Sequence, residues 1–171
     1  MRYFAVFMLA LAVLSGNAVR AQTSDRPGIP STRLQLKATI DPASAKLGTA
    51  ISVKLVLKNI SSKVVRVADT SPEYDYELIV ADSKGNKLTL TDFGDGLYQG
   101  KYVLLRSSAI DMEPGQEVQS QIEVTKIYQV TQPGVYYLRA SHRNIVPDPA
   151  DQAKSTVERA FSNPVQFTIV P

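Results

Sequence analysis

The sequence predicts an all-β protein, an antiparallel β-sandwich of about seven to nine strands. Three observations carry this expectation. Apolar and polar residues alternate at period two in segment after segment, turn-forming Pro, Gly, Asn and Asp recur between those segments, and no stretch of helical length carries an apolar stripe.

The elements follow in order. Leu34, Leu36, Ala38 and Ile40 alternate with Gln35, Lys37 and Thr39, which makes a half-buried strand. After a turn through Asp41-Pro42 and Gly48 the pattern returns at Ile51, Val53, Leu55 and Leu57. Val64 to Val67 reads as a short third strand. Tyr74, Tyr76, Leu78 and Val80 read as a fourth, closed by the turn Asp82-Ser83-Lys84-Gly85-Asn86, with Leu88 and Leu90 continuing beyond it. Phe93 to Gly100 reads as a loop because Gly94, Gly96 and Gly100 interrupt it. Tyr102 to Leu105 and Ile110 to Met112 return to strand. Glu113-Pro114-Gly115-Gln116 then places Pro and Gly at the central positions of a type II turn. Val118, Ser120, Ile122 and Val124 alternate with polar residues, and Pro133-Gly134 turns the chain again. Tyr136, Leu138 and Ala140 share one strand face, and Val165, Phe167 and Ile169 form the last strand.

Ahead of this region, Arg2 precedes an unbroken apolar run from Tyr3 to Leu14, which Ser15, Gly16 and Asn17 follow. That is the layout of a signal peptide. As a helix the run reaches only about 18 Å, short of a hydrocarbon core of about 30 Å, so it predicts cleavage and no stable membrane anchor afterwards. Val19-Arg20-Ala21 fits signal peptidase and predicts a mature chain from Gln22, with Ala18 as the nearby alternative. The expected organisation is therefore a signal peptide at 1–21, a flexible linker at 22–32 carrying Pro27, Gly28 and Pro30, and a sandwich domain at 33–171. The expected location is secreted or periplasmic.

The full chain of 171 residues has 19 basic and 16 acidic residues. Loss of Arg2 and Arg20 with the signal leaves 17 basic against 16 acidic, a net charge of +1. With Lys and Arg scattered singly, the sequence lacks the electrostatic footprint of a nucleic-acid binder. The absence of Cys excludes disulfides, thiolate metal sites, iron–sulfur clusters and thiol nucleophiles. His142 is the single histidine, so no His-pair metal site can form, and no nucleophile-elbow motif accompanies it. Its expected place is the surface or a packed loop. Asp82, Asp92 and Asp95 lack the alternating ligands and closing Glu of a calcium loop and read as turn residues. No cofactor, metal or catalytic residue is predicted.

Three segments resemble bacterial immunoglobulin-like domains. Leu55-Val56-Leu57-Lys58-Asn59-Ile60-Ser61 is similar to their strand B, Glu113-Pro114-Gly115-Gln116 to a turn that follows a Leu (here Met112), and Pro133-Gly134-Val135-Tyr136-Tyr137-Leu138-Arg139-Ala140 to their strand F. The resemblance implies an immunoglobulin-like sandwich with Tyr136 at the tyrosine-corner position. Tyr74-Asp75-Tyr76-Glu77-Leu78-Ile79-Val80-Ala81-Asp82-Ser83-Lys84-Gly85 is similar to the core of the intracellular proteinase inhibitor (BsuPI) family. The aromatic strand that follows the glycine in that family is missing here, because Leu88 to Thr91 holds no aromatic residue.

The functional expectation is a non-catalytic binding or accessory module with a protein or cell-surface partner. Phe93, Asp95, Tyr98 and Tyr102 are its expected contacts, since they combine aromatic area with a Gly-rich segment. The same rings could instead fold back over the sandwich edge. The second expectation is a proteinase inhibitor presenting an extended loop at Asn144, Ile145, Val146, Pro147 and Asp148. A hydrolase, carbohydrate-active or other, is the third.

Overall fold

A computed structural model describes residues 29–102, 108–147 and 155–171. The strands are β1 (Ile29–Pro30), β2 (Leu34–Ile40), β3 (Ser44–Lys46), β4 (Ser52–Asn59), β5 (Val65–Ala68), β6 (Tyr76–Asp82), β7 (Ala109–Met112), β8 (Glu117–Glu123), β9 (Gly134–Pro147), β10 (Ser155–Phe161) and β11 (Val165–Val170). Three short helices interrupt them: α1 (Pro72–Asp75), α2 (Asp92–Tyr98) and α3 (Val124–Ile127). The protein is an all-β sandwich. Its strands outnumber the expectation because β1 and β3 are short additions and β10 is a strand that the alternation did not mark; the expected last strand is β11, unbroken.

One sheet has the order β2-β4-β8 and the other β1-β10-β9-β11-β3, with β6 on the opposite edge of β9; β5 and β7 form a separate ribbon. Register follows the alternation. Leu36 lies opposite Leu57 and Ala38 opposite Leu55, while Val53 lies opposite Ile122, so one face of the β2-β4-β8 sheet is apolar except at Ser120, which lies opposite Leu55. Tyr76, Leu78 and Val80 of β6 and Tyr136, Leu138 and Ala140 of β9 supply the facing layer, closed by Phe167 and Ile169 of β11. All of these are buried in one cluster, which is where the hydrophobic stabilisation resides.

Long strand β9 organises the second sheet. Its residues Tyr136 to His142 pair with β6; on the other edge Gly134 to Leu138 pair with β11 and Ser141 to Pro147 with β10. At the break between β10 and β11, Ser162 satisfies Ala140: its N–H donates to the Ala140 carbonyl at 2.8 Å and its Oγ accepts the Ala140 N–H at 2.9 Å. The Asn163 side chain crosses to the other sheet, bonding both backbone groups of Ala38.

Two motifs far apart in sequence interlock. The Asn59 N–H donates to the Gln116 carbonyl at 3.0 Å and the Gly115 N–H to the Asn59 carbonyl at 2.9 Å. The Asn59 side chain is fully buried, and its Nδ2 donates to Met112 and Lys63 carbonyls. Gly115 takes φ +81°, the left-handed conformation that the turn demands of it. At the tyrosine corner, the Tyr136 hydroxyl donates to the Gln132 carbonyl at 2.7 Å.

Several expectations are corrected. Asp92 to Tyr98 is a helix and not a loop. Thr91 caps it by accepting the Gly94 N–H at 3.0 Å, and the glycines allow close approach: a Cβ on Gly94 would lie 2.2 Å from the Ile127 carbonyl oxygen. Packing against α3 thus overrides the poor helix propensity of glycine. Leu88 and Leu90 do not form a strand; only isolated bridges, Ala81 with Lys87 and Leu90 with Tyr128, continue the pairing. His142 is neither a surface nor a loop residue, because β9 runs on past it and turns its ring into the core, where it is 0% exposed. Asn144 to Pro147 likewise belong to β9, hydrogen-bonded in register with Ser155 to Glu158 of β10. Ahead of Arg33, Ile29 and Pro30 pair with β10, and Ser31 bonds Glu158. The expected signal peptide, linker residues 22–28, strand residues 103–105 and Asp148 lie outside the described residues.

Candidate functional site

β6 is a strand with one incompletely paired edge, and side chains close that edge. Leu78 turns both backbone groups away from β9. Its N–H donates to the Tyr98 hydroxyl at 3.2 Å, and its carbonyl accepts from Tyr98 at 3.2 Å and from Tyr128 at 2.5 Å. Tyr98 ends α2 and Tyr128 follows α3, so the mutual packing of the two short helices delivers both hydroxyls to one residue. Burial raises the pKa of Tyr98 and raises that of Tyr128 further still, so both remain protonated donors.

A cleft of about 440 Å³ runs along this edge. Tyr74, Leu88, Leu90, Leu97, Tyr98 and Tyr128 line its apolar part. It continues onto the outer face of the second sheet, where Glu77, Ser141, Arg143 and Arg159 line it. Strand alternation sets this: on β9 the core takes Tyr136, Leu138, Ala140 and His142, leaving Ser141 and Arg143 to the opposite face. Register then places Arg143 directly opposite Arg159. Arg159 reaches across β9, its Nη1 donating to Glu77 Oε2 at 2.6 Å and to Ser141 Oγ at 3.3 Å, while its Nε is buried without a hydrogen-bond partner among the described residues.

The residues singled out from sequence are dispersed. Tyr98 lines the cleft. Phe93 is half-buried on the other side of α2, where it stacks on Tyr102 at 5.4 Å with the Lys126 amine 4.5 Å from its ring. Tyr102 is 42% exposed, and Asp95 pairs with Lys101 at 3.1 Å. Tyr136 stacks on Phe167 at the far corner. Asn144 is buried and Ile145 exposed. The Asp82 carboxylate is held within its own turn by Lys84 and Asn86, bonds from Asn86 above all lowering its pKa. No group of three metal-ligating side chains gathers among the described residues.

Sequence reasoning missed Leu88, Leu90, Tyr128, Ser141, Arg143 and Arg159 as lining residues. Their partners lie across strand pairings, and a single sequence carries no signal of register between β9 and β10.

No protein-family model and no curated protein matches the chain. Among solved structures it is similar to a CARDB domain from Pyrococcus furiosus in complex with di-metal ions, at 14% identity over 83% of this chain and 94% of that one, with a TM-score of 0.40. It is similar to a β-glucosidase from Listeria innocua in complex with isofagomine, at 14% identity over 76% of this chain and a TM-score of 0.37; it spans 16% of that enzyme's length. It is also similar to an alkylpurine DNA glycosylase from Pseudomonas fluorescens bound to DNA containing an abasic site analog, at 13% identity over 81% of this chain and 31% of that chain, with a TM-score of 0.40. Likenesses at these scores fix neither a family nor an activity, and the assignment as an all-β sandwich stands on the chain's own strand pairing.

Proposed function

We propose that the chain is an exported, non-catalytic binding domain of immunoglobulin-like type that receives its partner in the cleft beside β6. The cleft carries this reading: its volume of about 440 Å³ falls in the range of ligand-binding sites, and its tyrosine and leucine walls with a few charged groups have the composition of one. The single imidazole offers no support for catalysis, because His142 points into the core and away from this surface. Export is supported by Arg2, the apolar run from Tyr3 to Leu14 and the Val19-Arg20-Ala21 sequence. Inhibition through residues 144–148 gains no support, since Asn144 to Pro147 are held in the ladder with β10 and Asn144 is buried.

The test is site-specific photo-crosslinking in the native cell. A photoreactive residue at Tyr74 or Leu88 is expected to trap one and the same partner, and one at Lys37 or Lys54, on the β2-β4-β8 sheet, is expected to trap none. Equal adducts from both sheets, or none from the cleft, would refute the reading.

A further inference from the structure

We infer that the Ser141–Arg143–Arg159 end of the cleft is a carboxylate-binding subsite, so that the occupant is an extended peptide with an acidic group beside apolar side chains. This rests on the proposed binding role of the cleft and specifies what it takes. Three observations carry it.

First, the register sets Arg143 and Arg159 side by side on adjacent strands. Like charges directly opposite on a sheet are unfavourable unless an anion lies near them. Glu77 supplies one negative charge, and its contact is with Arg159. Among the described residues, one anion beside two guanidinium groups leaves a net positive charge at this end. Second, the Arg159 Nε is a charged donor that is buried without a partner among the described residues, and its Nη1 and the Ser141 hydroxyl lie together. An unmet buried donor is costly, and a carboxylate oxygen satisfies it in the fork geometry that guanidinium groups favour. Third, this polar end is continuous with Tyr74, Leu88, Leu90 and Tyr98. The site therefore offers an apolar trough for side chains and a cationic end for an acid, and it runs along a strand edge, which matches an extended chain in shape. Of the acidic residues at the other end of the cleft, Glu73 pairs with Lys126 at 3.8 Å and the Asp75 carboxylate accepts the Thr70 N–H at 2.8 Å.

The carboxylate could be an acidic side chain or a peptide C-terminus, and the experiment separates them. Immobilised pentapeptide pools, each with one fixed central residue, are acetylated and amidated at their ends and probed with the full chain; a second set carries a free C-terminal carboxylate. The Asp and Glu pools are expected to retain the chain about tenfold better than the Asn and Gln pools, the size of effect a charge-assisted hydrogen bond gives. If the terminus is the ligand, the free-carboxylate set shows this preference over the amidated set whatever the central residue. Arg143→Gln, a change on the exposed face, is expected to abolish the preference, and Arg66→Gln on the distant β5–β7 ribbon to preserve it. Leu88→Ser is expected to weaken acidic and amide pools alike. Retention that responds to Leu88→Ser but not to carboxylate or to Arg143→Gln overturns the subsite and leaves the binding cleft standing. Preference for Lys or Arg pools, or no retention by any pool, also overturns it, and the crosslinking at Tyr74 and Leu88 then decides separately whether the cleft binds at all.

Discussion

Replacing His142 by Leu should remove the part of the acid sensitivity between pH 7 and 4 that comes from the buried imidazole. The ring is 0% exposed, packs edge-on against Tyr76 at 5.1 Å, and has no hydrogen-bond partner for either nitrogen among the described residues. Desolvation lowers its pKa from 6.5 to about 4. The unfolded chain therefore takes up this proton below pH 6.5 and the folded chain does so only near pH 4. Stability from this group is complete above pH 6.5, falls by about 1.4 kcal/mol per pH unit below it, and is lost by about pH 4, a loss of roughly 3 kcal/mol. Contributions from every other ionisable group are shared by the two proteins, so they drop out of the difference between wild type and His142→Leu. Leucine has nearly the volume of the imidazole and adds no polar atom, which keeps the packing change small. The assay is urea unfolding followed by far-UV circular dichroism at pH 7, 6, 5 and 4. The stability of the variant relative to wild type should rise by roughly 3 kcal/mol as pH falls across the window. Parallel pH profiles for the two proteins would show that the imidazole charges within the fold or reaches solvent, and the argument from burial would fail.

Tyr136→Phe removes the hydroxyl that bonds Gln132 and should cost about 1 kcal/mol in the same assay; an unchanged midpoint would mean the corner bond contributes nothing. Gly94→Ala should cost more than about 2 kcal/mol, since its new methyl meets the Ile127 carbonyl and not a movable side chain, and near-native stability would show that α2 shifts freely on α3. The double change Tyr98→Phe with Tyr128→Phe leaves the Leu78 backbone groups without their hydroxyl partners. It should raise self-association through the β6 edge, measured by analytical ultracentrifugation, and a monomer at every concentration would count against this. N-terminal sequencing of protein recovered from the cell exterior or periplasm should begin at Gln22, and an intact Met1 there would remove the export reading.

The strands were legible because burial of one sheet face imposes period two on Leu34 to Ile40, Val53 to Leu57 and Tyr76 to Val80. The turn at Pro114-Gly115 and the bond from Tyr136 depend on contacts within a few residues, and local chemistry announces them. Helix α2 was illegible for the opposite reason. Its glycines argue against a helix locally and are required by contacts with Ile127 and Tyr102, which are tertiary. His142 was misplaced because the neighbouring Arg143 and Asn144 look like the end of a strand, whereas β10 pairs with those residues and carries the ladder onward. The cleft needs three pairings at once, β6 with β9, β9 with β10 and α2 with α3, and none of them leaves a mark on the residues concerned.

The two parallel ladders among the described residues, whose other ladders are antiparallel, bear on how the fold responds to mechanical tension. β1 lies parallel to β10 and β3 parallel to β11, so each early strand is joined to one of the last two strands of the chain. In a parallel pair the leading end of one strand and the trailing end of the other sit at opposite ends of the ladder. Pulling the ends of the domain apart then slides such strands along each other, and bonds such as Leu47 N–H to Val170 and Thr168 N–H to Ala43 are loaded together. A hairpin pulled open at its mouth would break the same bonds one at a time under far less force. β3 and β11 thus form a shear clamp between the two ends of the sandwich, one that resists extension by a tether or a threading motor for longer than its few hydrogen bonds would in an unzipping geometry.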